Sequence, residues 1–199
     1  MNYTGPKIRL SRRVGIALTP KAEKYLEKKP YPPGQHGFRR RRRLSNYGQQ
    51  LVEKQRLRLQ YNISEKQMSG YFAKATRKKG QAGENLVQLL ETRLDAIVLR
   101  SRFSRTIYQA RQVVTHRHIL VNDKTVKSPS YRVKPGDKVS VRTRSRKMRC
   151  FNEGVMTTAL PPYLVVDETG YTSELTYVPP RPEVPVVCDV QLVVEYYSR

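Results

Sequence analysis

The sequence has no tryptophan, two cysteines, three histidines, and 16 acidic residues against 39 basic ones. Each shortage excludes something. Cys150 and Cys188 are far apart and form no Cys-x-x-Cys pair, so a zinc knuckle or a disulfide framework is not expected. Both read as free thiols of a reducing compartment, and no metal or cofactor is expected. No run approaches the roughly 18 continuous apolar residues of a spanning helix. No apolar stretch follows the early basic residues, so neither a secretory leader nor a membrane partner is expected. Apolar residues make up 38% of the chain, against roughly 45–50% in ordinary domains. Cores should be small, with room for part of the chain to fold only against a partner.

What the chain has is positive charge. Its formal net charge of +23 over 199 residues repels itself in a compact state and calls for a polyanion. Nucleic acid fits, because every neutralised phosphate also releases counterions. Thirteen tyrosines suit a wet, polar binding surface. The charge is uneven along the chain. Residues 1–43 hold 13 basic and 2 acidic residues, residues 44–91 hold 8 and 4, and residues 92–149 hold 16 and 3. Residues 150–199 reverse the sign, with 2 basic and 7 acidic. The last quarter should face the chain's own basic segments or another protein.

Four segments are expected: a basic arm over 1–43, a helical domain over 44–91, an RNA-binding module over 92–153, and a β-rich acidic segment over 154–199 packing back on the rest. The arm shows little hydrophobic periodicity and is expected to be extended. It carries Arg12 and Arg13, the turn-rich run Pro30 to Gly37 with His36, and the arginine run Arg39, Arg40, Arg41, Arg42 and Arg43. Pro-Pro-Gly suits neither helix interior nor central strand, so a rigid turn delivering arginines to phosphates is one reading. A solvated tail or a targeting address is the other. A helix is predicted over 45–60, capped by Ser45 or Asn46, with Lys54, Arg56 and Arg58 on a charged face. A second begins at Ser64 in a weakened capping box, with Met68, Tyr71, Phe72 and Ala75 as core. Leu86, Leu89, Leu90, Leu94, Ile97 and Val98 mark an amphipathic helical stretch over 84–101, either one helix or two with a bend.

Residues 92–141 read as helix, helix, hairpin, strand. Ser104 is the expected cap of a helix from Arg105 to His116. Ile107, Ala110 and Val114 share its core face. Arg105, Gln109, Gln112 and His116 share the opposite face, flanked by Arg111 and Arg117. That stripe holds donors and no carboxylate, which suits phosphates and base edges better than a solvated face of mixed charge. Ile119–Val121, Asn122-Asp123 and Lys124–Val126 read as a hairpin, and Lys138–Val141 as a strand after the Pro135-Gly136-Asp137 turn.

Residues Gln109 to Gln112, His116, Ile119 to Asn122, Pro129 to Val133 and Pro135 to Asp137 resemble the small RNA-binding module named after the S-four ribosomal protein family. The stretches Tyr3 to Pro6, Pro30 to Gly37, Glu53 to Leu57, Leu90 to Asp95 and Glu195 to Arg199 extend the resemblance to nearly the whole chain, in its bacterial or organellar form. The resemblance implies an α+β fold: a helical N-terminal domain with a basic arm, plus a module of two helices on a short antiparallel sheet. It implies a structural constituent of the small ribosomal subunit, on a bacterial cytoplasmic or an organellar ribosome. Such a protein binds small-subunit rRNA early, nucleates assembly at the 5′ domain, touches neighbouring ribosomal proteins with an effect on decoding accuracy, and lies near the mRNA path. Many members hold zinc through an N-terminal cysteine cluster, but here no cysteine precedes Cys150. Residues and resemblance together give an expected RNA-binding set. It is the arginines, His36, Lys54 and the helix stripe named above, together with His118, Asn122, Ser130, Tyr131 and Arg132.

Two rivals are weaker. Enzymes that carry this module append a catalytic domain, whereas the last 50 residues offer Glu153, Asp167, Glu168 and Glu174 but no His and no Gly-rich phosphate loop. No small-molecule substrate is expected. Two consecutive helices can mimic a helix-turn-helix, but the hairpin after the second helix and the basic residues all along the chain speak against a DNA-binding regulator.

Overall fold

A computed structural model describes residues 3, 5–38, 44–152 and 159–198. Their contacts divide them into two compact units. The first joins residues up to Leu86 with residues from Val186 onward, and the second runs from Val87 to Pro185. The boundaries therefore differ from the four segments expected, because the acidic end of the chain is shared between the two units.

In the first unit the arm is not extended. It forms α1 (Lys7–Val14) and α2 (Pro20–Lys28). Gly15, at φ +74°, stops α1 in a left-handed cap, and Pro20 opens α2 at its first turn. Ser11 is buried between them; its hydroxyl donates to the Lys7 carbonyl and accepts from the Leu18 N–H. Helices of eight and nine residues are too short to show periodicity in a window of 11 or more, so the arm read as irregular. The long helix α3 (Asn46–Gln60) is capped by Ser45, whose hydroxyl accepts from the Gly48 N–H. Helix α4 (Glu65–Arg77) opens with both bonds of a full capping box between Ser64 and Gln67.

Helix α5 (Ala82–Glu91) contains the division between the units. The second unit continues with α6 (Leu94–Arg100) and α7 (Ile107–Thr115). Strands β1 (Ile119–Val121), β2 (Lys124–Thr125) and β3 (Lys138–Val141) follow, then the short α8 (Arg149–Asn152), β4 (Leu164–Val166) and β5 (Thr172–Leu175). The five strands form one antiparallel sheet in the order β2-β1-β3-β5-β4. Ile119 faces Val141, Val121 faces Val139, and all four are buried against Ala110, Val113 and Val114 of α7 and Leu94, Ile97 and Val98 of α6. Lys138 alternates outward, as a half-buried antiparallel strand requires. The expected sheet stopped at β3, and the two strands that complete it come from the acidic segment.

That segment is only partly β. Its end forms α9 (Val190–Tyr197), which packs on α3 and α4 within the first unit. Mainly neutral donors hold it. Gln50 donates to Glu195 at 2.9 Å, Gln60 and the Val187 backbone exchange two hydrogen bonds, and the Asp189 N–H donates to Glu53. Tyr197 stacks on Phe72 and donates its hydroxyl to Glu65 at 2.6 Å. Glu65 also pairs with Lys54 at 3.0 Å, and the Lys54 ammonium lies 4.5 Å over the Tyr196 ring. Lys54 is therefore buried, contrary to the exposed charged face expected of it.

The second unit contains a buried ionic node. Arg93 donates twice to Asp95, at 2.9 and 2.5 Å, and neither side chain is more than 1% exposed. Arg111 lies 3.8 Å from the same carboxylate, and the Ala96 N–H donates to it. Backbone bonds tie residues 92–95 to residues 129–133: Leu94 N–H to the Tyr131 carbonyl, Asp95 N–H to the Pro129 carbonyl, and Val133 N–H to the Thr92 carbonyl. Nearby, buried Glu91 accepts from Arg100 at 2.6 Å and from the Tyr163 hydroxyl at 2.7 Å. Burial, and then the Glu91 charge beside it, push the Tyr163 hydroxyl pKa well up, so it stays a donor.

Two outcomes follow. Removing one partner of a buried pair leaves an uncompensated charge, at a cost of roughly 3–5 kcal/mol. Asp95→Asn should therefore destabilise the second unit by about that amount, and Arg93→Met with Asp95→Leu should recover most of it; urea unfolding followed by circular dichroism measures both. Glu65 tests the docking of α9. Burial alone would raise its pKa, but the Tyr197 hydroxyl, Lys54 and Arg58 together outweigh that and hold it below the ordinary value. A lowered folded pKa gives stability that is present above the unfolded value and lost as pH falls through the folded one. The first unit should weaken in acid below about pH 4.5, and Glu65→Gln should flatten that part of the stability–pH curve.

Candidate nucleic-acid interface

Helix α7 starts later than expected. Thr106, not Ser104, is its cap, with the Thr106 hydroxyl accepting from the Gln109 N–H at 3.2 Å. Ser104 is buried. Arg105 precedes the helix, and its own N–H donates to the Gln109 side-chain carbonyl at 2.9 Å. Thr106 prevails because it has the extended backbone of a cap two residues nearer the first buried position, Ile107. Gln109 thus closes the helix start. Gln112 on the helix, His116 at its C-cap and Arg105 before it are exposed. The core side is as expected, with Ile107, Ala110 and Val114 buried.

Arg111 turns inward to Asp95 and is largely covered. Arg117 sits at φ +62° in the turn after α7 and is exposed. His118 is half-buried, with Nδ1 2.9 Å from the Ser145 hydroxyl. Burial first, then the positive neighbours His116 and Arg142, hold its pKa below the ordinary value, so near neutral pH it is a neutral imidazole. The Arg142 N–H donates to the His118 carbonyl, which places the end of β3 beside the end of α7. Arg142, Arg144, Lys147 and Arg149 are exposed there and extend the patch. They stand outside the expected RNA-binding set, because the run from Arg142 to Arg149 is a charge block without helical or strand periodicity.

Asn122, at φ +47°, serves the turn opposite. Its side chain donates to Asp137 at 2.8 Å and accepts from the Lys138 N–H at 2.9 Å, and its backbone N–H donates to the Lys138 carbonyl. Ser130, Tyr131 and Arg132 are exposed on the segment tied to residues 92–95. Asp95 is buried in its ion pair, Asp137 is held by Asn122 and the Lys134 N–H, and Asp123 sits in the hairpin turn.

In the first unit, Arg12 is bound inward. It donates to the Tyr31 and Pro32 carbonyls at 3.0 and 3.2 Å and lies 4.8 Å over the Tyr31 ring, so it anchors the proline-rich turn. Arg13 and His36 are exposed. Arg56 donates to the Val14 carbonyl and pairs with Glu53, and Arg58 donates to Gln55 and lies 3.8 Å from Glu65. Arg39 to Arg43 lie outside the described residues. The arrangement offers charge and hydrogen-bond donors rather than a catalytic constellation. Among the described residues no group of three or more His, Cys, Asp or Glu could hold a metal ion. No helix among the described residues is long and apolar enough to cross a membrane.

Residues 2–91 match the family described as Ribosomal protein S4/S9 N-terminal domain, and residues 92–139 match the S4 domain. The chain is 56% identical to small ribosomal subunit protein uS4 of Micrococcus luteus over 198 residues, covering 96% of this chain and 95% of that protein. It is 52% identical to the protein of the same name from Streptomyces avermitilis over 203 residues, covering 100% of this chain and 99% of that protein. From Beutenbergia cavernae, the protein of that name is 53% identical, with 97% and 96% covered. These matches span both units, and the chain belongs to the uS4 family, ribosomal proteins of the small subunit that carry an RNA-binding domain and are not enzymes.

Proposed function

We propose that the chain binds small-subunit rRNA through the exposed face around the end of α7, acting early in assembly at the 5′ domain. The observation that carries this is the charge separation in the second unit. Its buried carboxylates, Asp95 and Glu91, are paired inside with Arg93 and Arg100, while Arg105, Gln112, His116, Arg117, Arg142 and Arg144 are exposed. A face of cations and neutral donors meets phosphates without repulsion, and those contacts fix register. Ser130, Tyr131 and Arg132 add hydroxyls, a guanidinium and an aromatic ring for unpaired bases. Arg13, His36 and the run Arg39 to Arg43 extend the same role into the first unit. Arg12, Lys54, Arg56, Arg58, Gln109, Arg111 and Asn122 act as supports, since their polar groups are engaged within the protein; His118 does the same at Ser145.

A neighbouring small-subunit protein would take a different surface. Strand β4 is an outer strand of the sheet, Val165 on it is 56% exposed, and residues 150–199 are net acidic. An edge with these features suits a basic protein neighbour. An effect on decoding accuracy through that contact, and a place near the mRNA path, complete the proposal. The relatives are bacterial, which supports a bacterial ribosome as its location.

Filter binding to folded small-subunit rRNA across a salt series tests the RNA reading. Log affinity should fall by roughly 0.7–0.9 per phosphate contact with log salt, for a total of several units. Arg117→Gln with Arg142→Gln and Arg144→Gln should lower the slope by about two to three units and leave the melting temperature unchanged, because these side chains are exposed. A parent slope near one would reject the reading.

A further inference from the structure

Helix α3 has two faces. Gln50, Glu53 and Lys54 meet the segment around α9, whereas Leu51, Val52 and Gln55 line a cavity of about 180 Å³ shared with Leu10 and Arg13 of α1. Leu10, Leu51 and Val52 are only half-buried there and give the cavity apolar walls. Arg13 and Arg58 stand at the cavity, and Arg58 donates to the Gln55 side-chain carbonyl at 3.0 Å. That bond fixes the Gln55 amide with its NH₂ left to donate elsewhere. No carboxylate is among the described lining residues.

We propose that this cavity receives one unstacked base of the rRNA, with Gln55 at the base edge and Arg13 on the adjoining phosphate. The volume is below the roughly 300–1,000 Å³ of sites for larger organic ligands, so it takes a single ring system. Apolar walls cover the faces of a base, as stacking side chains do at single-stranded sites. The exposed Arg13 guanidinium, with no carboxylate among the described lining residues, favours a nucleotide over an apolar or basic peptide segment. The inference rests on the rRNA-binding reading above, and its test separates the two.

The full-length protein, Val52→Phe and Arg13→Gln are titrated with folded small-subunit rRNA across a salt series, and base reactivities are mapped in each complex. Val52→Phe fills the cavity without touching a cation. It should bind on the order of tenfold more weakly, the equivalent of losing one stacked base, with the parent's salt slope. One base whose reactivity the parent changes should return to its free value. Arg13→Gln should lower the slope by about one. If Val52→Phe melts below the parent, Val52→Leu, which adds one carbon, is read by the same criteria. Parent-like affinity and an unchanged base map in a stably folded filling variant overturn the proposal while leaving the rRNA reading intact. Unchanged rRNA affinity with loss of co-sedimentation with small subunits assigns the cavity to a protein neighbour and also overturns it. Failure of the parent to bind rRNA overturns both readings.

Discussion

Asp95 has no exposed surface, yet it receives two hydrogen bonds from Arg93 and has Arg111 3.8 Å away. Burial pushes its carboxyl pKa up, and the two guanidiniums oppose that shift. The arrangement does three things at once. It fixes the start of α6, whose first residues bond to the segment at 129–133. It holds α7 through Arg111. It also confines a carboxylate to the interior, so that it adds no negative charge to the outer face. The segment that displays Ser130, Tyr131 and Arg132 and the helix that displays Gln112 are therefore positioned by one node. Buried ion pairs are poor stabilisers in themselves, and registering two elements against each other is the best-attested use for one.

The first unit repeats the logic with weaker parts. Lys54 is buried between Glu65 and the Tyr196 ring, and Glu65 in turn accepts from Tyr197. The C-terminal helix is thereby fastened to α3 and α4, and the other side of α3 is left for the cavity at Leu51 and Val52. Arg12 holds the proline-rich turn by its carbonyls. In both units some of the basic residues act as internal clamps, while others remain on the surface. Net charge therefore overstates the number of phosphates the protein can meet.

How legible this was in the sequence depends on the length and locality of each signal. Helix α4 could be read because its capping and core signals lie on one stretch of chain: both capping bonds of Ser64 and Gln67 form and Met68 and Ala75 are buried, while Tyr71 and Phe72 are only half-buried. Strands β1 to β3 could be read because short β-prone runs stand beside the Asn122-Asp123 loop and the Pro135-Gly136-Asp137 turn. The arm misled because α1 and α2 are short and their shared core is largely Ser11, Val14 and Ala22. Lys54 misled because its partner Tyr196 is distant in sequence, and no local pattern reports burial by a helix from the other end of the chain. Arg111 misled for a similar reason: its wheel position flanks the donor stripe, but a carboxylate in the preceding helix draws it inward. The family could be read from motifs spread over the whole chain, whereas individual contact residues could not, because a guanidinium serves an internal carboxylate or an external phosphate equally well.

The central claim is that the face around the end of α7 meets rRNA and the β4 edge does not. Hydroxyl radicals generated from a tethered probe test it directly. Cys150 and Cys188 are first replaced by Ser, and single cysteines are placed at Gln112, at Ser130 or at Val165. Strong, localised cleavage of small-subunit rRNA from positions 112 and 130, with little from 165, is the predicted result. Cleavage that is strong from 165 and absent from 112 would contradict the account.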